Sequence, residues 1–335
     1  MDAPRRRSIL LLTAASAVSS VLAACSGKSS GTGSTSAATT STSTSSSTTT
    51  SPPATTTPTG TPTAATPDLL SHGAVNVLVC GSDSRSRTSF AGRSDVITVV
   101  QLTGDRKRIN LVSIARDCYV ALPGGGHGKI NAAYDSSGAK GLATTVSRVL
   151  GGLPIAYTLE TGFATFVDIV DALGGVTVTN RFASDSSGVA FAQGPVDLKG
   201  PVSLTYVRER HGLPNGDLDR TERHRAMLTG MLGKLSAMAR QDPTALARLV
   251  PQLMTKVRSS GLTARQAASL VPVVSKMTTA SVTSVMVPVA RFDMIDGASV
   301  DLVNASRTAE LAAALKRGDL SGYVKRYGTS DAPTG

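Results

Sequence analysis

Short apolar runs rich in β-branched residues recur once the chain passes its seventieth position. Residues 75–80, 96–102 and 109–114 are such runs, each bounded by turn formers, and they predict three consecutive strands of one sheet. Between the last two, Thr103-Gly104-Asp105 has the make-up of a hairpin connection. The period then changes. Leu142, Val146, Val149 and Leu150 fall on one helical face before Gly151-Gly152, and Phe163, Phe166, Val167 and Val170 repeat this before Gly174-Gly175. Strands at 156–159 and 176–179 flank the second of these helices. Beyond Asp219 the pattern is mostly helical: Pro243 opens one helix, Thr263-Ala264-Arg265-Gln266 caps another, and 281–287 reads as a last strand. The expected fold class is α/β, a layered α-β-α domain with a central mixed sheet flanked by helices. Leu246, Leu249, Leu253 and Val257 form an apolar face that suits either the core or the wall of a lipid tunnel.

The first 24 residues have the pattern of a lipoprotein signal peptide. Arg5-Arg6-Arg7 leads into an apolar stretch, 9–21, too short to span a bilayer, and the stretch ends at Leu22-Ala23-Ala24-Cys25. Small residues ahead of a cysteine resemble the lipobox of bacterial lipoproteins, which implies cleavage before Cys25 and its lipidation. The segment 25–70 is nearly all Ser, Thr, Gly, Ala and Pro, too poor in apolar surface to offset the entropy of ordering it, and is expected to be a disordered stalk. A flexible stalk of some forty residues reaches roughly 30 to 40 Å. Residues 71–327 are expected to form one domain, followed by a disordered tail at 328–335. The expected location is the extracytoplasmic face of the bacterial cell membrane.

The formal net charge is +11, and +9 without the first 24 residues. That surplus calls for an anionic partner, and export favours wall phosphates or anionic lipids over nucleic acid. Of the three cysteines, Cys80 and Cys118 remain beside the lipidated one, either as a disulfide at the rim of a site or as two buried thiols. The four histidines lack zinc spacing.

Asp83 and Asp95 stand in short glycine-marked turns, Gly81-Ser82-Asp83-Ser84-Arg85 and Gly92-Arg93-Ser94-Asp95. Two loop aspartates alone also serve as turn formers. Here Arg85 and Arg93 share the loop, Arg116-Asp117 closes a later strand, Arg208 and Arg210 alternate as they would on a strand, and Arg220 and Arg223 share a helix face. Magnesium takes carboxylate oxygens and completes its shell with water and substrate phosphate, while guanidinium forks grip phosphate oxygens in pairs. Together these residues suit a metal and a diphosphate.

Seven pieces in order resemble the LytR-CpsA-Psr family of cell-wall phosphotransferases. Besides the two aspartate motifs they are Ser113-Ile114-Ala115-Arg116-Asp117, Lys129-Ile130-Asn131-Ala132-Ala133-Tyr134, Val170-Asp171-Ala172-Leu173-Gly174-Gly175-Val176, Tyr206-Val207-Arg208-Glu209-Arg210 and Gly216-Asp217-Leu218-Asp219-Arg220. The resemblance implies transfer of a glycopolymer from a polyprenyl diphosphate carrier to a peptidoglycan hydroxyl, with release of polyprenyl phosphate. It places Asp83 and Asp95 on Mg2+ or Mn2+, and Arg93, Arg116, Arg208, Arg210 and Arg220 on the diphosphate, with Arg85 and Arg223 in support; Asp83, Arg93, Asp95 and Arg116 form the catalytic set. Ala115 stands where the family usually has proline, and His224 where glutamine is frequent. The alternatives are a polyprenyl diphosphate hydrolase and a non-catalytic lipoprotein that binds anionic wall polymer.

Overall fold

The structure, a computed structural model, describes residues 69–70, 73–330 and 332–334. The signal, Cys25 and nearly all of the stalk lie outside the described residues.

In chain order the first elements are β1 (Val75–Ser82), β2 (Ser94–Leu102), β3 (Ile109–Ser113), β4 (Cys118–Ala121), β5 (His127–Lys129), α1 (Ala132–Val149), β6 (Tyr157–Thr161) and α2 (Phe163–Ala172). Next come β7 (Val176–Asn180), β8 (Ser184–Ser186), β9 (Val189–Phe191), β10 (Gly194–Leu198), α3 (Gly200–Arg208), α4 (Asp217–Gln241) and α5 (Pro243–Met254). The last are β11 (Arg258–Ser260), α6 (Ala264–Ser269), α7 (Val271–Val274), β12 (Val282–Met286), β13 (Val289–Ile295), β14 (Ala298–Val303), α8 (Ala305–Arg317) and α9 (Ser321–Tyr327).

A six-stranded sheet in the order β11-β6-β1-β2-β3-β12 forms the centre. It is mixed, because β1–β2 and β2–β3 are antiparallel hairpin neighbours whereas β6 and β12 join by crossovers and run parallel to β1 and β3. Alternation along β1 splits the core. Leu78 and Cys80 face one layer, built with Val112, Ile114, Leu142 and Val146 of α1 and Leu311 and Leu315 of α8, while Val75 and Val77 face Leu228 and Leu232 of α4 on the other. A row of buried amides crosses the three central strands: Gln101 Nε2 donates to Asn76 Oδ1 at 2.9 Å and Asn110 Nδ2 to Gln101 Oε1 at 2.8 Å. A slip of one residue would strand all three amides in the core, so the ladder fixes register as firmly as the apolar pattern does.

The expected strands and helices are present, and Thr263 makes its capping box with Gln266. Several expectations need correction. Arg208 and Arg210 do not alternate on a strand, since Arg208 is the last residue of α3 and Arg210 lies past its end. Cys80 and Cys118 are free, buried thiols, not a disulfide, and burial pushes the pKa of each upward. Of the tail, Thr334 is tied down: its N–H donates to the Val289 carbonyl at 2.8 Å and its hydroxyl receives Asn304 Nδ2 at 3.0 Å. A second sheet, β13-β14-β4-β5, lies beyond the expected strands, because Asp293, Asp301 and the exposed Phe292 and Met294 break the alternation that marks a half-buried strand.

Candidate active site

The β1–β2 pair ends in an irregularity that shapes the site. Register runs Gly81 to Val96 and then Ser82 to Ser94, so Asp95 is the extra, unpaired residue of a bulge. A bulge turns a side chain out of the alternating pattern, and here Asp95 lines a cavity of about 750 Å³. Gly81 permits the close approach, because a Cβ there would sit 2.7 Å from Val96 Cγ2. On the facing strand end, Asp83 also lines the cavity, and its Oδ1 accepts the Arg93 N–H at 3.1 Å.

The long helix α4 supplies the wall. It follows Gly216, whose φ of +52° suits glycine, and Asp219 closes the preceding turn by accepting the Asn215 N–H at 2.7 Å. Arg220, His224, Met227 and Met231 recur at spacings of three and four, so one stripe of α4 faces the cavity throughout. From Arg220 to Met231 that stripe runs about 16 Å along the axis. It begins charged and ends apolar. Phe163, Phe166 and Ile169 of α2 and Leu204 of α3 continue the apolar part. Of the α5 face considered for a lipid tunnel, Leu246, Leu249 and Leu253 pack elsewhere, and only Val257 just beyond the helix reaches the wall.

At the charged end, Arg116 Nη1 is 2.8 Å from Asp95 Oδ1, and Arg220 Nη1 is 3.6 Å from Asp95 Oδ2. Asp217, at the first position of α4, joins the two arginines, with Oδ1 2.6 Å from Arg220 Nη2 and 3.6 Å from Arg116 Nε. Asp117 lies 3.5 Å from Arg116 Nε and takes Lys129 Nζ at 2.8 Å. Burial pulls the Arg116 pKa down, but the hydrogen bond to Asp95 and the charges of Asp95, Asp217 and Asp117 outweigh it and the net shift is upward. For Arg220 burial prevails and the shift is downward, against the pull of Asp217 and Asp95. Despite these ion pairs, Arg116 Nε, Arg220 Nε and Nη2 and both Asp217 oxygens are buried with no aligned hydrogen bond in the protein. Such unspent donors suit an anion with several oxygens.

Arg85, Arg208 and Arg210 also line the cavity, and the Arg208 guanidinium lies 4.8 Å from the centroid of the Phe163 ring. Two expected residues do not join them. Arg93 is exposed and off the cavity wall. Arg223 is buried on the other side of α4, where it stacks on Tyr206 and Phe191 and donates to Asn180 Oδ1, the Phe182 carbonyl and Ser184 Oγ. Three places on from Arg220 is near enough on a helix to share a face but not to share a narrow stripe. His224 Nε2–H donates to the Val207 carbonyl, 2.9 Å away, and burial followed by the Arg220 charge drops its pKa to about 3, so it lines the cavity as a neutral ring.

Sequence reasoning gave no role to Glu160, which lines the cavity, or to Asp217, which pairs with the Arg116 and Arg220 of its wall. Asp217 carried a signal, its i,i+3 spacing from Arg220. Glu160 carried none, since nothing near it in the chain marks it out from the threonines beside it in β6.

Behind the site, Asp301 donates its N–H to the Asp117 carbonyl at 3.0 Å, and its Oδ2 is buried without an aligned partner. Burial, then Asp117 and Asp217, raise its carboxyl to about 6 from 3.8. An acid with a raised pKa holds its proton more firmly folded than unfolded, so this stabilising contribution is complete below about pH 4 and lost as pH rises through 6. Asp301→Asn, neutral at every pH, is therefore expected to gain about 1–2 kcal/mol over the parent at pH 7 and nothing at pH 4. Denaturant titrations at the two pH values measure it.

The cavity therefore joins a charged cradle to an apolar slot on one layered α/β domain. The model of the LytR_cpsA_psr family matches residues 29–317, and the chain belongs to that family. It is 34% identical over 168 residues to the polyisoprenyl-teichoic acid–peptidoglycan teichoic acid transferase TagU of Bacillus licheniformis, covering 50% of this chain and 54% of that one. The TagU of Bacillus cereus is 38% identical over 161 residues, 48% of this chain and 52% of the relative. The chain thus spans about half the length of the curated relatives it matches. Among solved structures, TagV of B. subtilis superposes with a TM-score of 0.64 at 22% identity, covering 74% of this chain and 98% of that one, which establishes the fold. TagT bound to LIIa-WTA gives 0.60 at 25% identity, with 73% and 91% covered.

Proposed function

We propose that this protein is a phosphotransferase that moves a glycopolymer from a polyprenyl diphosphate carrier onto a hydroxyl of peptidoglycan. The observation that carries this reading is the single stripe of α4 that passes from Arg220 and His224 to Met227 and Met231 inside one cavity. A diphosphate at the charged end leaves its isoprenoid chain along the apolar end, burying surface worth roughly 0.8 kcal/mol per methylene. The TagU relatives are polyisoprenyl-teichoic acid–peptidoglycan teichoic acid transferases by name, which agrees with this division of the cavity.

In the proposed step the acceptor oxygen bonds to the distal phosphorus, the P–O bond to the proximal phosphate breaks, the hydroxyl proton passes to solvent water, and polyprenyl phosphate leaves. Charge grows on the phosphoryl and leaving oxygens. Arg116 and Arg220, already fixed by Asp95 and Asp217, meet that charge without reorganising, and Arg85, Arg208 and Arg210 add to the field.

Magnesium, or manganese in its place, fits the donor set. Among the described residues no group of three or more His, Cys, Asp or Glu forms a complete metal cage. Magnesium does not need one, because one or two carboxylates suffice where substrate phosphates supply further oxygens, and Asp83 and Asp95 both present hard oxygens to the cavity. When bound, the ion would neutralise phosphate charge.

Cys25 as a lipid anchor and the extracytoplasmic face as the site of action complete the proposal. The lipobox-like sequence and the nature of the carrier support them. Among the described residues, no helix is long and apolar enough to cross a membrane.

The test supplies purified protein with a short synthetic polyprenyl diphosphate glycan, peptidoglycan fragments and magnesium. Glycan joined covalently to muramic acid, with equimolar polyprenyl phosphate, is the expected result. Free glycan phosphate instead would make it a diphosphatase, and binding without turnover would make it a wall-polymer receptor.

A further inference from the structure

The segment from Asp83 to Arg93 places Asp83 and Arg85 at the cavity, yet it has no helix or strand and only one large apolar side chain, Phe90. A polar loop of this kind has little to order it. Phe90 is nonetheless 7% exposed. The Tyr134 hydroxyl lies 2.7 Å from the Phe90 carbonyl oxygen, and the Arg258 guanidinium 5.1 Å from the centre of the Phe90 ring. Tyr134 comes from the start of α1 and Arg258 from β11.

Both residues converge on Glu160. Tyr134 Oη is 2.7 Å from Glu160 Oε2, and Arg258 grips the same carboxylate with two prongs, Nε at 2.8 Å from Oε1 and Nη2 on Oε2. Glu160 is 4% exposed and lines the cavity wall on β6. A carboxylate so buried is costly unless charge and hydrogen bonds meet it, so the three side chains depend on one another. The one phenolic proton lies between a loop carbonyl and a strand carboxylate, which joins the loop to the sheet directly.

The loop has other ties, but they are weaker or local to its ends. The Phe163 N–H donates to the Ser84 carbonyl at 2.9 Å, and Arg87 pairs with Asp168 at 3.0 and 3.1 Å. The Arg87 side chain is 66% exposed, and a pair so open to solvent contributes little.

We propose that Tyr134, Glu160 and Arg258 form a clasp that fixes the 83–93 loop through Phe90 and thereby sets Asp83 and Arg85 against the phosphate end of the cavity. They act as positioning residues. The catalytic consequence rests on the phosphotransferase reading, whereas the loop-holding role does not. Misplacement of a binding group by about 1 Å can cost a hundredfold in rate, so a loosened loop is expected to appear in turnover before it appears in binding.

Hydrogen exchange on the full chain reads the clasp without reference to activity. In Tyr134→Phe and Glu160→Ala, amides of 84–93 are expected to exchange at least tenfold faster while those of β1, β2 and β3 keep their rates. Glu160→Gln, which retains one oxygen for the Tyr134 hydroxyl, falls between. In the transferase assay kcat drops about tenfold, with the KM for the polyprenyl diphosphate donor within twofold of the parent. Unchanged loop exchange in both Tyr134→Phe and Glu160→Ala overturns the clasp, and so does faster exchange spread evenly over the central strands. Loosened loop amides in a protein whose parent binds no polyprenyl diphosphate would leave the clasp standing and remove the phosphotransferase reading instead.

Discussion

Replacing Arg220 with alanine is expected to lower turnover by about 10²- to 10³-fold, the largest loss from any single arginine of the cavity. Its side chain is only 7% exposed, and it touches two carboxylates, Asp95 at 3.6 Å and Asp217 at 2.6 Å. Two separate effects follow. One is electrostatic: a donor fixed beside the developing charge disappears, which by comparison with an oxyanion donor costs about 3–4 kcal/mol of barrier. The other is structural, because Asp217, whose oxygens are already buried without aligned hydrogen bonds, keeps only the more distant Arg116 at 3.6 Å. Leaving a buried charge uncompensated costs up to about 3–5 kcal/mol of stability, lessened here by water entering the open cavity. Unfolding midpoints measured beside saturating kcat separate the two. Arg220→Lys restores charge but not the planar fork, and is expected to recover stability more fully than rate. An alanine variant with parental kcat would remove Arg220 from the chemistry.

Much of this site was legible because its chemistry is spelled in side chains that are conspicuous wherever they fall. Asp83, Asp95, Arg116 and Arg220 stand out by type and spacing, and all four meet at one cavity. What sequence does not carry is direction. Arg220 and Arg223 are three positions apart, and only the rotation of α4 against the sheet decides that one enters the cavity while the other stacks on Tyr206. Arg208 and Arg210 likewise reach the cavity, but from the end of a helix rather than along a strand. Glu160 was hidden for a different reason. Its partners Tyr134 and Arg258 are 26 and 98 positions away, so the compensation that makes a buried glutamate tolerable exists only in three dimensions.

The fold divides the same way. Strands β1 to β3 and helix α2 announce themselves through period and glycine stops, whereas β13 and β14 pair with each other without a clean alternation of apolar and polar positions, since Arg291, Asp293 and Asp301 interrupt their apolar residues. The cysteines show how far position alone can mislead. Both end apolar runs near the site, but Cys80 lies within β1 and Cys118 opens β4, each at 0% exposure within the apolar core layer, where a thiol serves as a small hydrophobe.

Changing Asp95 to asparagine keeps the shape of the bulge and removes one negative charge, and its expected signature differs from that of Arg220→Ala. In the parent, Asp95 holds Arg116 at 2.8 Å and Arg220 at 3.6 Å, partly neutralising two cations that a diphosphate would also engage under the proposed function. Without that charge both guanidiniums are freer to bind phosphate, so the KM for the donor is expected to stay level or fall. Turnover is expected to fall by about 10²-fold or more, since the arginines lose the partner that aims them and the cavity loses one of the two carboxylates proposed to hold a metal. The half-saturating concentration of magnesium is expected to rise at least tenfold, which isothermal titration in the presence of a non-hydrolysable diphosphate measures without reference to rate. Asp83→Asn, whose carboxylate accepts an N–H from its own loop and contacts neither Arg116 nor Arg220 as an ion pair among the described residues, should raise the magnesium requirement while leaving the donor KM where it was. If Asp95→Asn weakened donor binding and left the magnesium requirement untouched, Asp95 would be a brace for the arginines and no metal ligand at all.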